Sequence, residues 1–185
     1  MRILVIKLSS LGDLFHALPT VHNLKLGLNA TVDWVTTTAY VDLVRCFDDV
    51  DHVIGFPRTQ FRQNYGAFRD ALRAEQYDII IDLQGLLKSA LVSRLACGRR
   101  RIGPSFHREG SRLFYSSVAG KRDRPRPPVF STPAILPPLY LAELPPAFPI
   151  TFPAWTADPP HPLPSTSPTS PCQRQHCPLH RLIYV

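Results

Sequence analysis

The run Arg-Ile-Leu-Val-Ile-Lys-Leu over residues 2–8 passes directly into Ser9-Ser-Leu-Gly12 and Asp13, after which apolar residues recur at Leu14, Leu18 and Val21. An aliphatic, β-favouring run that turns through small polar residues into a helical period is the opening of an α/β unit. It predicts a buried strand over 2–8 and a helix over 13–28. The turn between them falls at the carboxyl edge of a parallel sheet, where folds of this kind place their ligands.

The alternation continues. Patterning predicts a strand over 31–37, a helix over 39–47, a strand over 52–56 and a polar loop over 57–66. A helix over 67–75, a nearly all-apolar central strand over 78–83 and a strongly periodic helix over 86–97 follow, with Gly98 as the C-terminal cap of that helix. A short strand over 101–103 and a last helix over 109–118 complete the series. Strands alternating with helices give a parallel sheet, so the expected class is α/β with a Rossmann-like parallel sheet. Pro19 lies inside the first helix, where it removes one hydrogen bond and is expected to produce a kink.

Composition divides the 185 residues into two unlike parts. All nine glycines lie between Gly12 and Gly120, whereas every proline except Pro19, Pro57 and Pro104 lies beyond Arg122. Residues 1–121 are read as the folded domain and 122–185 as a proline-rich tail in which no core forms, because proline removes backbone donors and favours extended conformations. The tail has two other readings: a docking segment for proline-recognition domains, or the product of a frameshift near 121–126, since proline, arginine and alanine share GC-rich codons.

The formal charge of +7, densest at Arg99-Arg-Arg101, suits an anionic partner or a membrane face. Arg99 to Arg101 read equally well as a solvated loop after a helix. No basic stretch is interleaved with aromatics, so nucleic acid is not expected as a partner. Cys46 and Cys97, isolated in predicted helices, fit a reducing compartment and small apolar roles. Lys7 interrupts the apolar start, and no segment approaches the roughly 20 apolar residues of a membrane span, which places the protein in the cytoplasm. Cys172, His176, Cys177 and His180 match no standard zinc spacing, and no metal is expected.

Asp13 is the carboxylate positioned for chemistry: at the start of a helix that follows a strand, it projects into the crevice at the sheet edge. Its structural alternative is a helix cap, favoured by the helix dipole, which also lowers a carboxyl pKa and makes a weak base. Free N–H groups around Ser9, Ser10 and Gly12, with Lys7 nearby, could hold a carboxylate or phosphate. The glycine spacing of the P-loop and of the dinucleotide fingerprint is absent, which makes a nucleotide-dependent oxidoreductase a minor option. Asp82-Leu-Gln-Gly-Leu-Leu-Lys-Ser89 repeats the strand–turn–helix pattern and brings Gln84, Lys88 and Ser89 to the same edge, as the opposite wall of one cleft. Gln84 could instead only cap and Lys88 face solvent. His16 is a half-buried helix residue or a group that orients its neighbours.

Ile6-Lys-Leu-Ser-Ser-Leu-Gly-Asp-Leu-Phe-His-Ala-Leu-Pro19 together with Tyr77-Asp-Ile-Ile-Ile-Asp-Leu-Gln-Gly-Leu-Leu-Lys-Ser89 resembles the bacterial lipopolysaccharide heptosyltransferases of glycosyltransferase family 9, from Met1 to about Lys121. The resemblance implies the N-terminal, acceptor-binding half of a two-domain GT-B enzyme whose other half binds ADP-heptose. It implies that Asp13 is the general base that deprotonates a Kdo hydroxyl of Kdo-lipid A for inverting attack, without a divalent metal. Lys7, Lys88, Arg58 and Arg62 would then hold acceptor anions at the inner face of the membrane. No donor-binding domain is recognisable after Lys121, so the 185-residue chain is expected to be inactive alone. The alternatives are a non-catalytic half-domain that binds an anionic glycolipid, or a proline-rich interaction protein.

Overall fold

The computed structural model describes residues 1–105, 110–119, 139 and 145–153. The elements run β1 (Arg2–Ile6), α1 (Leu11–Leu28), β2 (Thr31–Thr37), α2 (Val41–Val44), β3 (His52–Phe56), α3 (Phe61–Arg73), β4 (Tyr77–Asp82), α4 (Leu87–Leu95), β5 (Gly98–Pro104) and β6 (Ser117–Ala119). All lie within one compact unit, residues 1–151. The six strands form one parallel sheet in the order β3-β2-β1-β4-β5-β6, the α/β Rossmann-like class expected from the sequence. The order reverses between β1 and β4, and the crevice beyond their carboxyl ends is the switch point at which such sheets bind ligands.

Covering on both faces explains why β1 and β4 are apolar over Ile3–Ile6 and Ile79–Ile81. Ile3, Val5, Val32, Trp34, Ile79, Ile81 and Ile102 point to one side, where Leu14, Ala17, Leu18, Val21 and Leu24 of α1 and Val44 of α2 pack on them. Leu4, Ile6, Val35, Tyr77 and Ile80 point to the other, against Phe68 and Leu72 of α3 and Val92 of α4. Full burial of each large aliphatic side chain is worth roughly 1.5–3 kcal/mol. At the amino edge of the sheet, buried Asp33 accepts from Tyr77 Oη at 3.0 Å and pairs with Arg2 at 3.0 Å.

Several sequence expectations are corrected. The helix expected over 39–47 is a 3-10 turn at Thr38–Tyr40 followed by the single turn α2, and Phe47 forms a bridge with Ile150 instead of continuing the helix. Residues 57–66 are not all loop: α3 begins at Phe61, because Phe61, Tyr65, Phe68 and Leu72 continue one helical stripe among polar residues, with Phe61 against Phe56 and Tyr65. Gly98 does not cap α4 but opens β5, where a Cβ would meet the Ile80 side chain. Arg99 to Arg101 therefore form part of a strand, and the Arg101 guanidinium donates to the carbonyls of Ser93, Gly98 and Ala96 at 2.9–3.0 Å. In place of a helix over 109–118 stand a 3-10 turn at Ser111–Phe114 and β6. Cys46 and Cys97 are free thiols that lie just past α2 and α4 instead of within helices. Helix α1 starts at Leu11, two residues earlier than expected, and runs through Pro19 to the expected end at Leu28.

The region beyond Lys121 is not without packing. Ile150 forms an antiparallel bridge with Phe47. The Asp48 N–H donates to Pro149 O at 3.2 Å and the Thr151 N–H to Cys46 O at 2.9 Å, while Leu139 and Ile150 pack on the α1-side core. The apolar side chains among these prolines have a surface to cover, which composition did not reveal. Apart from 139 and 145–153, residues 122–185, including Cys172, His176, Cys177 and His180, lie outside the described residues.

Candidate active site

Two strand ends build the site. Beyond Ile6, β1 continues as an irregular extension tied to β2: the Lys7 N–H donates to Val35 O, the Thr37 N–H to Leu8 O, and Trp34 Nε1 to Lys7 O. The chain then turns through Ser9 and Ser10, joined by a cis peptide bond, into α1 with Ser10 as its N-cap. Asp13, the third helical residue, accepts the Ser10 N–H through Oδ2 at 3.1 Å. Lys7 Nζ lies 3.8 Å from the same oxygen, and 43% of the Asp13 side chain faces solvent. Oδ1 has no partner among the described residues, so one carboxylate caps the helix through Oδ2 and keeps its second oxygen unpaired on a half-exposed side chain.

Lys7 is turned inward. Its Nζ donates to Leu83 O at 3.1 Å, and only 12% of the side chain is exposed. Burial pushes its ammonium below the usual lysine range, against the opposing pull of Asp13 and Asp82.

The second wall begins where β4 ends at Asp82, which is fully buried. Its Oδ1 accepts the N–H groups of Gln84 at 2.7 Å and Gly85 at 3.1 Å, an Asx turn in which Gly85 takes the left-handed φ of 72° that glycine tolerates. Its Oδ2 accepts Tyr115 Oη at 2.6 Å. Tyr115 reaches this position because Gly103 of β5 has no side chain: a Cβ there would run into the Tyr115 ring. Ser89 Oγ closes the first turn of α4 by accepting the Leu86 N–H and donating to Leu86 O. The two walls are joined by Gln84, whose Oε1 accepts the N–H groups of Leu8 at 3.2 Å and Ser9 at 3.4 Å.

This linkage corrects one expectation. Two of the N–H groups expected to be free are occupied: Gln84 takes that of Ser9, along with that of Leu8, and Asp13 takes that of Ser10. A cavity of about 100 Å³ remains, lined by Ser9, Phe56, Arg58, Gln84 and Lys88 together with Leu8, Thr37 and Leu86. Ser10, Gly12 and Asp13 lie beside it on the start of α1, with Ser10 and Gly12 exposed. Arg62 is exposed on α3 and is not part of its lining. His16 is half-buried, and its Nδ1 has no hydrogen-bond partner. A larger groove of about 530 Å³ between β3 and α3 has no charged residue in its lining and shares no lining residue with this cavity.

Residues 65–142 match the profile of glycosyltransferase family 9 (heptosyltransferase). Lipopolysaccharide heptosyltransferase 1 of Escherichia coli K12 is 38% identical over 109 residues, covering 53% of this chain and 34% of that protein. The enzyme of the same name from Pseudomonas aeruginosa is 33% identical over 104 residues, covering 51% and 29%. The structure of E. coli heptosyltransferase WaaC with ADP superposes with a TM-score of 0.68 at 30% identity, over 78% of this chain and 49% of that one. The chain resembles the N-terminal half of a family 9 heptosyltransferase. A family 9 protein from Veillonella parvula, at 16% identity and a TM-score of 0.66 over 77% of this chain and 42% of that one, shares the fold. The heptosyltransferase-like region thus spans about a third of the curated relatives and about half of the solved WaaC chain. Its profile match runs past Lys121 into the region read as tail.

Of the residues expected from sequence, Ser9, Arg58, Gln84 and Lys88 line one cavity and Lys7 pairs with Asp13 nearby, whereas spacing assigns no role to Asp82, Tyr115 or Gly103, which build the second wall. Asp followed at two and three positions by Gln and Gly is an Asx-turn signal that could have singled out Asp82. Nothing local announces Tyr115, 33 positions away.

Proposed function

We propose that this chain is the acceptor-side half of a heptosyltransferase, serving transfer of heptose from ADP-heptose to Kdo of lipid A in lipopolysaccharide inner-core synthesis. The observation that carries the reading is the placement of Asp13. A half-exposed carboxylate stands at the carboxyl end of the central strand, 3.8 Å from Lys7, beside a cavity whose charged residues, Arg58 and Lys88, are cationic. An acceptor rich in carboxylates and phosphates suits those cations, and a hydroxyl set against Asp13 Oδ1 can lose its proton as it attacks the anomeric carbon. Attack from the face opposite the departing ADP inverts that centre, with the C–O bond to Kdo forming as the bond to ADP breaks. A weak base suffices when leaving-group departure runs ahead of proton loss.

In this reading residues 1–121 carry acceptor binding and the donor belongs to a second half. Reaction requires both to be held in one geometry, so the 185-residue polypeptide alone binds acceptor without transfer. Exposed Arg58, Arg62 and Arg69 near half-exposed Phe61 and Tyr65 suit a peripheral position on the anionic inner face of the cytoplasmic membrane. Among the described residues no helix is long and apolar enough to cross a membrane. The test is titration of the chain with Kdo-lipid A, followed by ADP-heptose turnover with and without an added donor-binding half. Binding with transfer only in the complemented mixture is expected; absence of acceptor binding would overturn the reading.

A further inference from the structure

We propose that Gln84 Nε2 is an orientation-locked hydrogen-bond donor for a carboxylate oxygen of the bound ligand. The ligand class rests on the acceptor reading above; the locking rests on hydrogen-bond chemistry alone. A side-chain amide can present either its oxygen or its nitrogen, and an unconstrained glutamine reads donors and acceptors alike. Gln84 is constrained. The Leu8 and Ser9 N–H groups, 3.2 and 3.4 Å from its terminal oxygen, can only donate. The atom between them must therefore be the carbonyl oxygen, and a flipped amide would set N–H against N–H twice.

The locked orientation leaves Nε2, with two hydrogens and no partner among the described residues, on a side chain that lines the 100 Å³ cavity. The charged residues of that lining are Arg58 and Lys88, and no carboxylate contributes to it. Two cations and a fixed neutral donor around a small cavity select a ligand group that is anionic and accepts hydrogen bonds, which a sugar carboxylate is. The amide is also held from behind. Asp82 fixes the Gln84 backbone N–H at 2.7 Å and is itself held by Tyr115, so the donor is set before the ligand arrives.

Gln84→Glu separates this role from a structural one. A glutamate carboxylate still accepts both N–H groups, so the joint between the walls persists, but it presents a charged acceptor where the donor stood. Binding of the unmodified and Gln84→Glu chains to Kdo monosaccharide and to Kdo-lipid A at pH 7.5, with melting temperatures in parallel, is the experiment. An affinity loss of tenfold or more at unchanged melting temperature is expected. Binding by folded Gln84→Glu equal to that of the unmodified chain overturns the inference and leaves the acceptor reading standing. If the unmodified chain binds neither Kdo ligand, the acceptor reading falls, and gluconate titration decides the donor role through the Gln84 side-chain amide resonances of the ¹⁵N-labelled chain. Saturable movement of those resonances supports it and their indifference overturns it. The same titration decides the matter if Gln84→Glu does not fold.

Discussion

Tyr115 donates its hydroxyl hydrogen to Asp82 Oδ2 at 2.6 Å across 33 positions of sequence, which makes the segment between β5 and β6 part of the foundation of the β4 turn. Burial pushes the Asp82 carboxyl above its usual range, while Tyr115, Ser89 and the Gly85 and Gln84 N–H groups favour its charged form. Burial and Asp82 in turn push the Tyr115 phenol well above its ordinary value. Tyr115→Phe leaves a fully buried carboxyl oxygen short of its partner, and a loss of about 1–3 kcal/mol is expected, read as a lower urea midpoint with an unchanged slope.

Gly103→Ala is expected to be more damaging than a glycine-to-alanine change in a strand would suggest. The new methyl meets the Tyr115 ring, so the ring must leave Asp82 or the strands must separate, at about 1–3 kcal/mol. Urea denaturation of Gly103→Ala, Tyr115→Phe and the double variant checks this. If displacement of Tyr115 is the cause, the double variant is less destabilised than the sum of the two.

Asp51 sets the response to acid at the far end of the sheet. Burial opposes its ionisation, but Lys25 Nζ at 2.6–2.7 Å and the Val32 N–H at 2.7 Å prevail and hold its carboxyl below the usual range. A depressed folded pKa contributes stability that is present above the unfolded value of about 3.9 and is lost as pH falls through the folded one. Asp51→Asn is expected to cost about 1 kcal/mol at pH 7, since the pair is partly exposed. It should also flatten the dependence of unfolding free energy on pH below about 4, which denaturation at a series of pH values reads directly.

Asp13→Ala is expected to leave acceptor binding nearly intact and to lower transfer by about 10²- to 10⁴-fold once a donor-binding half is supplied. Single-turnover rates beside equilibrium binding separate the two effects. Undiminished transfer by this variant would remove Asp13 from the role of base.

Four strands were legible from their β-favouring runs: β2 and β3 have the bounds their patterns predict, β1 ends two residues early, and β4 is shifted by one residue at each end. What misled was local chemistry that tertiary contacts override. Gly98 reads as a helix cap, yet it opens a strand because Ile80 leaves no room for a side chain. A solvated loop was one of two readings of Arg99 to Arg101 and a strand was expected only from Arg101, but β5 takes in all three and Arg101 finds three carbonyls across the end of α4. For the site, residues within the two turns could be named from spacing, since each follows a strand directly. The connections between them could not. Gln84 reaches Leu8 across 76 positions, and no periodicity encodes which amide atom will face which backbone group.

The strand order also governs how the chain meets the ribosome. Strand β1 is translated first, yet one of its two neighbours, β4, follows 76 positions later. At about 5–20 residues per second, that partner is made roughly 4–15 s after β1. During that interval Ile3, Leu4, Val5 and Ile6 have at most β2 beside them and α1 above them, with one hydrogen-bonding edge still open. The nascent protein therefore passes through a stage in which its future centre is its stickiest border, and chaperone capture during synthesis should centre on the first forty residues.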